Sequence, residues 1–417
     1  MGREMKDSGL PWIGEIPKHW IVDRVKYHLK VNECKGFPDA IVLSLYRDFG
    51  VIPKDSRDDN HNVTSEDTSK YKHVEAGDFV INKMKAWQGS VGVSDYEGIV
   101  SPAYYVYKFT SEAFYRKYFH YLLRDKSYTP EYRRLSGGIR EGQWDLSREG
   151  FINLPVILPP LSEQEAIANY LDIKTEEIDA AIHEAKSLID KYKAYKQSLI
   201  TEAVTKGLNH DVKMKDSGIE WIGQIPSDWG ISKIGQNYSL RTTKVSDSDY
   251  EPLSVTYKGI VPQLENVAKT DAHDARKLVR KDDFAINSRS DRRGACGIAD
   301  RDGSVSLINI VLKPKDNMVA RYYELLFHTV QFGDEFYKWG HGIVDDLWTT
   351  RWQDMKNISI PVPPLSEQEA IADYLDKKCS QIDTIVSQKE QLVTQLQEYK
   401  KSIIFEYVTG KKEVPNG

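Results

Sequence analysis

Along this chain the apolar residues follow two patterns, one helical and one alternating, and each occurs twice. The helical pattern starts at Ile167 and recurs at steps of three and four through Leu171, Ile178, Ile182, Ala185, Ile189, Tyr192 and Leu199. It returns at Ile371, Leu375, Ile382, Val386, Leu392, Leu396, Tyr399 and Ile403. This heptad-like seam predicts a long amphipathic helix in each place. Both helices enter through the same text, Pro159-Pro160-Leu161-Ser162-Glu163-Gln164-Glu165-Ala166 and Pro363-Pro364-Leu365-Ser366-Glu367-Gln368-Glu369-Ala370. The prolines stop the preceding strand, and Ser162 with Glu165, like Ser366 with Glu369, has capping-box spacing. Similar text ends both, Ala203-Val204-Thr205-Lys206-Gly207 and Tyr407-Val408-Thr409-Gly410-Lys411, so each helix spans about 40 residues, roughly 60 Å at the α-helical rise. A single such stripe cannot bury itself. Two in one chain bury each other most simply as an intramolecular coiled coil; the alternative is that each packs on its own globular domain.

The alternating pattern marks short strands: Asp78–Asn82, Ser90–Ser94 and Tyr104–Phe109 in the first half, Phe284–Asn287 and Ser304–Leu312 in the second. More helical stretches follow at Ala113–Arg124 and Val319–Val330. Each half thus reads as a mixed domain of about 150 residues followed by a long helix. The halves are copies. Met5-Lys6-Asp7-Ser8-Gly9, Trp12-Ile13-Gly14, Ile16-Pro17 and Trp20 return as Met214-Lys215-Asp216-Ser217-Gly218, Trp221-Ile222-Gly223, Ile225-Pro226 and Trp229. Leu43-Ser44-Leu45 matches Leu253-Ser254-Val255, Phe79 to Asn82 matches Phe284 to Asn287, and Gly138-Ile139 with Trp144 matches Gly342-Ile343 with Trp348. These shared positions are apolar, aromatic or glycine, as a scaffold built twice requires. With two repeats only, the chain is a pseudo-symmetric pair and not a solenoid.

The halves differ in their polar loops. After the matching strand the first carries Lys83-Met84-Lys85-Ala86-Trp87-Gln88-Gly89 and the second Ser288-Arg289-Ser290-Asp291-Arg292-Arg293-Gly294. Likewise Ser136 to Gln143 faces Gly340 to Leu347. Arginine, lysine, glutamine and serine reach base edges and phosphates, and each reads a different donor and acceptor pattern. A common frame with two different polar loops suits a two-part sequence reader. Solvated surface loops would look the same residue by residue.

Composition narrows the class. At 417 residues the chain is too long for a single core, and 40% hydrophobic with 29% charged residues is the balance of a folded globular protein. No apolar run is long enough for a membrane span, and no apolar stretch follows the charges of Met1 to Lys6, so neither a span nor a signal peptide is expected and the expected compartment is the cytoplasm. Cys34, Cys296 and Cys379 lie far apart, which argues for buried or idle thiols over a disulfide framework or zinc site. A net charge of -5 argues against indiscriminate nucleic-acid binding and leaves room for a local basic face.

Catalytic text is sparse. Ser101-Pro102-Ala103-Tyr104 is one residue away from the motif with which amino-methyltransferases hold a base, and no glycine-rich cofactor loop precedes it. Asp48-Phe49-Gly50 lacks the companions of a kinase, and no Walker A sequence occurs. Triplets such as Asp172-Ile173-Lys174 fall on the long helices and read as solvated charges, and the scattered histidines offer no metal pair.

The doubled helix entry, the doubled Trp-Ile-Gly opening and the two variable domains between them closely resemble the specificity subunit of type I restriction-modification enzymes. The resemblance covers essentially the whole chain. It implies an α+β fold with two pseudo-symmetric mixed α/β target-recognition domains, residues 1–158 and 208–362, separated by an antiparallel coiled coil of two long helices within 159–207 and 363–417. It implies a bipartite site on double-stranded DNA, with the helix pair fixing the distance between the readers, and no catalysis in this chain. Two modification subunits and two ATP-driven restriction subunits are the implied partners; S-adenosylmethionine, ATP and Mg belong to them and no cofactor to this chain. The expected DNA contacts are Lys83, Lys85, Trp87, Gln88, Arg140 and Gln143 in the first domain and Arg289, Ser290, Arg292, Arg293 and His341 in the second. Partner docking is expected on the exposed helix faces near Glu163, Gln164, Glu367 and Gln368, where plain capping is the competing reading. A DNA-binding or decoy scaffold of the same architecture, outside an active restriction system, is the alternative.

Overall fold

The two seams form uninterrupted α-helices in the computed structural model of the chain, Leu161–Lys206 with 46 residues and Leu365–Val408 with 44. The structure describes all residues except 1–2, 48, 58–63, 66, 139–143, 264–274, 290, 291, 293, 343–347 and 416–417. Two units emerge, residues 1–186 with 391–417 and residues 187–390, so each holds one mixed domain and a stretch of both long helices. In the first unit the Tyr170 and Tyr407 rings lie 4.6 Å apart and Asp179 pairs with Lys400 at 2.6 Å. In the second, Lys193 pairs with Glu390 at 3.2 Å and Lys196 with Asp383 at 2.6 Å. Rising numbers on one helix meet falling numbers on the other, which is antiparallel packing in both units.

The seam keeps its period more strictly than the apolar residues suggest. On the second helix it runs through Leu375, Cys379, Ile382, Val386, Lys389, Val393, Leu396, Lys400, Ile403 and Tyr407, alternating four and three without a break. Leu392 and Tyr399, expected inside, are exposed, because each stands one residue off that period beside Val393 and Lys400. The serine caps are also corrected. The first-turn amides of Glu163 and Gln164 donate to Pro160 O at 2.9 and 3.1 Å, and those of Glu367 and Gln368 to Pro364 O at 2.9 and 3.0 Å. The helices therefore start on the prolines, which have no amide of their own to leave unpaired, and Ser162 and Ser366 sit exposed inside the first turn.

Each domain is built on a four-stranded antiparallel sheet of one topology. Its order is Leu29–Val31, Tyr104–Phe109, Phe79–Asn82, Val91–Val93 in the first unit and Tyr238–Leu240, Asn309–Pro314, Phe284–Asn287, Cys296–Ile298 in the second. The central strands read as continuous apolar runs because both faces are covered. Phe79 and Ile81 face the main core with Tyr107, Phe119 and Phe151, while Val80 faces a smaller cluster with Leu45, Val74, Val100 and Val106. Phe284 and Ile286 repeat this against Ala285. The single strand expected over Ser304–Leu312 is two, Gly303–Val305 and Asn309–Pro314, with a turn between. The helical stretches appear as Arg116–Arg124 and as Ala320–Phe327 followed by Val330–Lys338.

Candidate nucleic-acid interface

The variable loop leaves the end of a central strand by the same devices in both units. Asn82 Oδ1 accepts from Met84 N at 3.2 Å and Asn287 Oδ1 from Arg289 N at 3.1 Å, a side-chain turn that lifts the chain off the sheet. Gly89 and Gly294 close the loops at φ of 90° and 74°, a region that disfavours any side chain bearing Cβ. Beneath each loop lies a lysine, buried in the first unit and half-buried in the second: Lys72 Nζ donates to Tyr104 O at 2.9 Å and Lys277 Nζ to Asn309 O at 2.5 Å. Burial pulls both ammonium groups below the usual lysine range, in Lys72 against the opposing pull of Glu33.

In the first unit Lys85 and Gln88 are exposed, and Lys83 is half-buried in an ion pair with Asp145 at 2.7 Å. Trp87 gives its indole N–H to Met84 O at 3.0 Å, which leaves its ring as the contact it can offer. That ring meets Trp144 edge to face at 5.8 Å, and the Arg133 guanidinium lies 5.6 Å from the Trp144 centroid. Arg140 and Gln143 lie outside the described residues. Exposed Phe49 stands in the turn of the Leu43–Tyr46 and Gly50–Pro53 hairpin with Arg57 over it at 4.2 Å. Arg124 ties this turn to the strand leaving the loop, donating to Arg47 O at 2.5 Å and Val91 O at 2.9 Å.

In the second unit Arg289 and His341 come together, since both form bridges to Thr349. His341 is exposed, with Nε2 3.3 Å from Asp354 Oδ1, and Arg292 is exposed on the same loop. Ser290 and Arg293 lie outside the described residues. Arg289 and Arg292 line a cavity with Phe336, Tyr337 and Trp348. At about 10 Å³ it holds one water at most. Tyr257 stands exposed in the hairpin turn that matches that of Phe49, and its ring faces Gly294. Arg133, Phe49, Tyr257 and Tyr337 stand around these loops without having been singled out in the sequence, beside Trp144 and Trp348, which it offers as scaffold. The signal was an aromatic at the same hairpin turn in both halves.

The residues expected to dock partners are used internally. Gln164 is 0% exposed: its side chain accepts from Tyr115 N at 2.8 Å and donates to Ala113 O at 2.8 Å and Pro159 O at 2.9 Å. Gln368, 1% exposed, accepts from Val319 N at 2.9 Å and donates to Asn317 O at 3.3 Å and Pro363 O at 2.9 Å. Glu163 accepts from Trp20 Nε1 at 3.1 Å and also meets His19 and Arg3; burial raises its pKa, and these hydrogen bonds outweigh burial and hold it below the usual range. Glu367 accepts from Trp229 Nε1 at 2.9 Å. The far helix ends in the same place: Tyr118 donates to Val408 O at 2.8 Å, and Tyr322 to Val204 O at 2.7 Å. A Cβ on Gly410 would come within 2.5 Å of Pro17 and 2.8 Å of Trp20. The doubled motifs are thus a clasp that seats one helix start and one helix end, and the glutamines do not lie on an exposed face. Among the described residues no cluster of three or more histidine, cysteine or carboxylate side chains could hold a metal, and no helix is long and apolar enough to cross a membrane.

Compared with known proteins, the chain matches the family described as the type I restriction modification DNA specificity domain at residues 38–187 and again at 226–395, more than half its length. It is 24% identical to a provisionally named type I restriction enzyme MjaX specificity subunit of Methanocaldococcus jannaschii over 431 residues, covering 96% of each protein. A solved chain from work on complex assembly and conformational transition of the type I R-M system is similar at a TM-score of 0.70 and 14% identity, over 95% of this chain and 99% of that one. The HsdS subunit from Thermoanaerobacter tengcongensis is similar at a TM-score of 0.58 and 16% identity, over 95% and 98%. At these identities the two structures bear on the fold alone.

Proposed function

This chain belongs to the type I restriction modification DNA specificity family, and from that premise we propose that it reads a bipartite site on double-stranded DNA, one half-site per unit. Specificity subunits of this kind recognise and do not catalyse. The observation that carries the two-part reading is the pair of loops, 83–89 and 288–294, launched by the same asparagine turn and closed by the same left-handed glycine while their side chains differ throughout. Between the shared turn and the shared glycine stand lysine, tryptophan and glutamine in the first unit and arginine in the second. Good bidentate base contacts are worth about 1–3 kcal/mol each in discrimination, so a few changed side chains suffice to change the half-site.

Chemistry then rests with two modification and two restriction subunits, which supply S-adenosylmethionine, ATP and Mg, in the cytoplasm where the DNA lies. The inward-turned glutamines move the docking face to the outer side of each helix start. Leu161, Ser162 and Glu165, with Leu365, Ser366 and Glu369, are exposed at matching positions in the two units, as two copies of one partner require. Phosphate contacts made by those partners account for a net acidic reader.

The test is single-molecule methylation sequencing of DNA from cells carrying this chain with its modification partner, beside cells in which Arg289→Ala and Arg292→Ala are combined. A two-part methylated motif is expected, its second half alone blurred in the variant. No motif in the parent cells overturns the reading and favours a decoy scaffold. Equal loss of both halves in a folded variant overturns the assignment of one half-site per unit.

A further inference from the structure

The turn that splits the expected strand in the second unit carries side chains that turn chemistry does not ask for. Asn309 N donates to Ser306 O at 3.0 Å, so Leu307 and Ile308 occupy the two central positions. Glycine, asparagine, aspartate and serine suit such positions, and branched aliphatics gain nothing there. Both are exposed, Leu307 at 42% and Ile308 at 38%, so they add little to the core. The turn is fastened to the cationic loop. Ser288 Oγ donates to Ile308 O at 2.6 Å, Thr350 N donates to Ser288 O at 2.9 Å, and Lys277 holds Asn309 O from below. The loop bearing Arg289 and Arg292 is thus bracketed by Leu307–Ile308 at its first residue and by Tyr257 at Gly294. In the first unit the same turn has Pro102 and Ala103, with Tyr104 N on Ser101 O at 2.9 Å and Lys83 N on Ala103 O at 3.3 Å. The backbone is shared and the aliphatic bulk is not.

Resting on the reading of this chain as a sequence reader, we infer that Leu307 and Ile308 recognise thymine C5-methyl groups in the major groove, beside the bases met by Arg289 and Arg292. Base edges in that groove present donors and acceptors, and the methyl of thymine is the apolar feature among them. Phosphates attract the arginines and offer an aliphatic pair nothing. A short turn with two adjacent apolar side chains, held rigidly to a cationic loop, matches a thymine next to a hydrogen-bonded base. Burying one methyl group corresponds to about three- to fivefold in affinity.

The experiment uses the full chain assembled with its modification partner and a duplex carrying the methylated motif found by sequencing. Each thymine of the second half-site, on either strand, is replaced by deoxyuracil, which removes the methyl and keeps the pairing. For the unaltered chain, one or two such replacements weaken binding by about three- to fivefold each. For the Leu307→Ala, Ile308→Ala variant the same replacements change nothing, and its affinity for the uracil duplex equals that of the unaltered chain, which also shows that it folds. The single Ile308→Val variant falls between. Equal uracil sensitivity in both proteins overturns the inference, as does an unaltered chain that binds its site indifferently to every replacement, or a second half-site without thymine. If the variant instead loses the modification subunit with DNA binding per complex unchanged, the pair is a protein contact and the inference falls. Failure of the unaltered complex to prefer its motif over unrelated DNA defeats the sequence-reader reading itself.

Discussion

At the foot of each long helix the two units repeat the same tryptophan, glutamine and tyrosine bonds; in the loops that leave their central sheets they repeat only the asparagine turn and the closing glycine. Trp20 bonds Glu163 as Trp229 bonds Glu367, Gln164 is enclosed as Gln368 is, and Tyr118 caps Val408 as Tyr322 caps Val204. The loops share an asparagine turn and a glycine stop, yet Met84 stands opposite Arg289 and Trp87 opposite Arg292. A duplicated chain keeps side chains where helix ends must be seated in a dry site, because a buried polar group without its partner costs more than the bond returns. It varies side chains where water can stand in for any partner, and there the sequence is free to specify a ligand.

The comparison breaks first at the clasp. Trp20 and Trp229 are 0% exposed, so Trp20→Ala and Trp229→Ala should each destabilise their own unit by about 3–5 kcal/mol. Amide hydrogen exchange resolved by unit is the measurement, because a chain of two units has no single unfolding free energy. Markedly unequal losses would mean that the two clasps are not energetically alike. Next in size, Gln164→Leu leaves Tyr115 N without its acceptor and two carbonyls without donors, and Gln368→Leu does the same to Val319 N. A loss of about 1–3 kcal/mol is expected in each unit, again by unit-resolved exchange. A loss of partner binding with no change in exchange would return these glutamines to a docking role.

Which of this was legible in the sequence follows from what one dimension records. The duplication, the α+β composition and the helix pair are periodicities, and they read directly from Ile167 to Leu199 and from Ile371 to Ile403. The seam's register is less legible, since Leu392 and Tyr399 fit an apolar spacing of threes and fours as well as Val393 does, whereas the strict heptad admits Lys389 and Lys400. The inward turn of Gln164 depends on Ala113 and Tyr115, far along the chain, and no local pattern encodes that. The turn at Ser306–Asn309 was hidden because Leu307 and Ile308 continue the apolar run of the strands around it. The residues around the variable loops became visible as a set only when hairpin turns and loops met in space, as Tyr257 meets Gly294.

A subtler difference lies behind the same sheets. Val93 N donates to His120 Nδ1 at 3.2 Å in the first unit, and at the matching place Ile298 N donates to Glu324 Oε1 at 3.1 Å. The imidazole must stay unprotonated at Nδ1 to accept this bond. Burial, helped by Arg124 and Lys117, pulls its pKa down to about 3 from 6.5. Because the folded value is depressed, the unfolded chain takes up the proton first. The stabilisation is fully present above pH about 6.5 and is lost as pH falls toward about 3, by at most ~1.4 kcal/mol per pH unit for one proton. Exchange measured across that window should show the first unit weakening, and His120→Gln, which keeps an acceptor, should flatten the contribution. An unchanged slope in that variant would assign the acid sensitivity to other groups.

The smallest effect tests the helix pair within each unit. Asp179 with Lys400 and Asp383 with Lys196 are the same ion pair at matching positions, at 2.6 Å in both, with each lysine occupying a seam position and each carboxylate more than half exposed. Exposed pairs of this kind contribute about 0.2–1 kcal/mol, and that is the coupling expected from a double-mutant cycle of Asp179→Ala with Lys400→Ala in the first unit and of Asp383→Ala with Lys196→Ala in the second. Their larger consequence is register. A lysine in an apolar seam is tolerated where a carboxylate meets it, and a slip of one heptad takes that carboxylate away, so the charges select one alignment at little gain in stability. The exchanged pair, Asp179→Lys with Lys400→Asp, should therefore restore the packing that either single reversal disturbs. Cysteine crosslinking along the seam reads the alignment independently of stability. If both single reversals leave it unchanged, the apolar positions alone set the register, and the two pairs are only where two antiparallel helices place opposite charges.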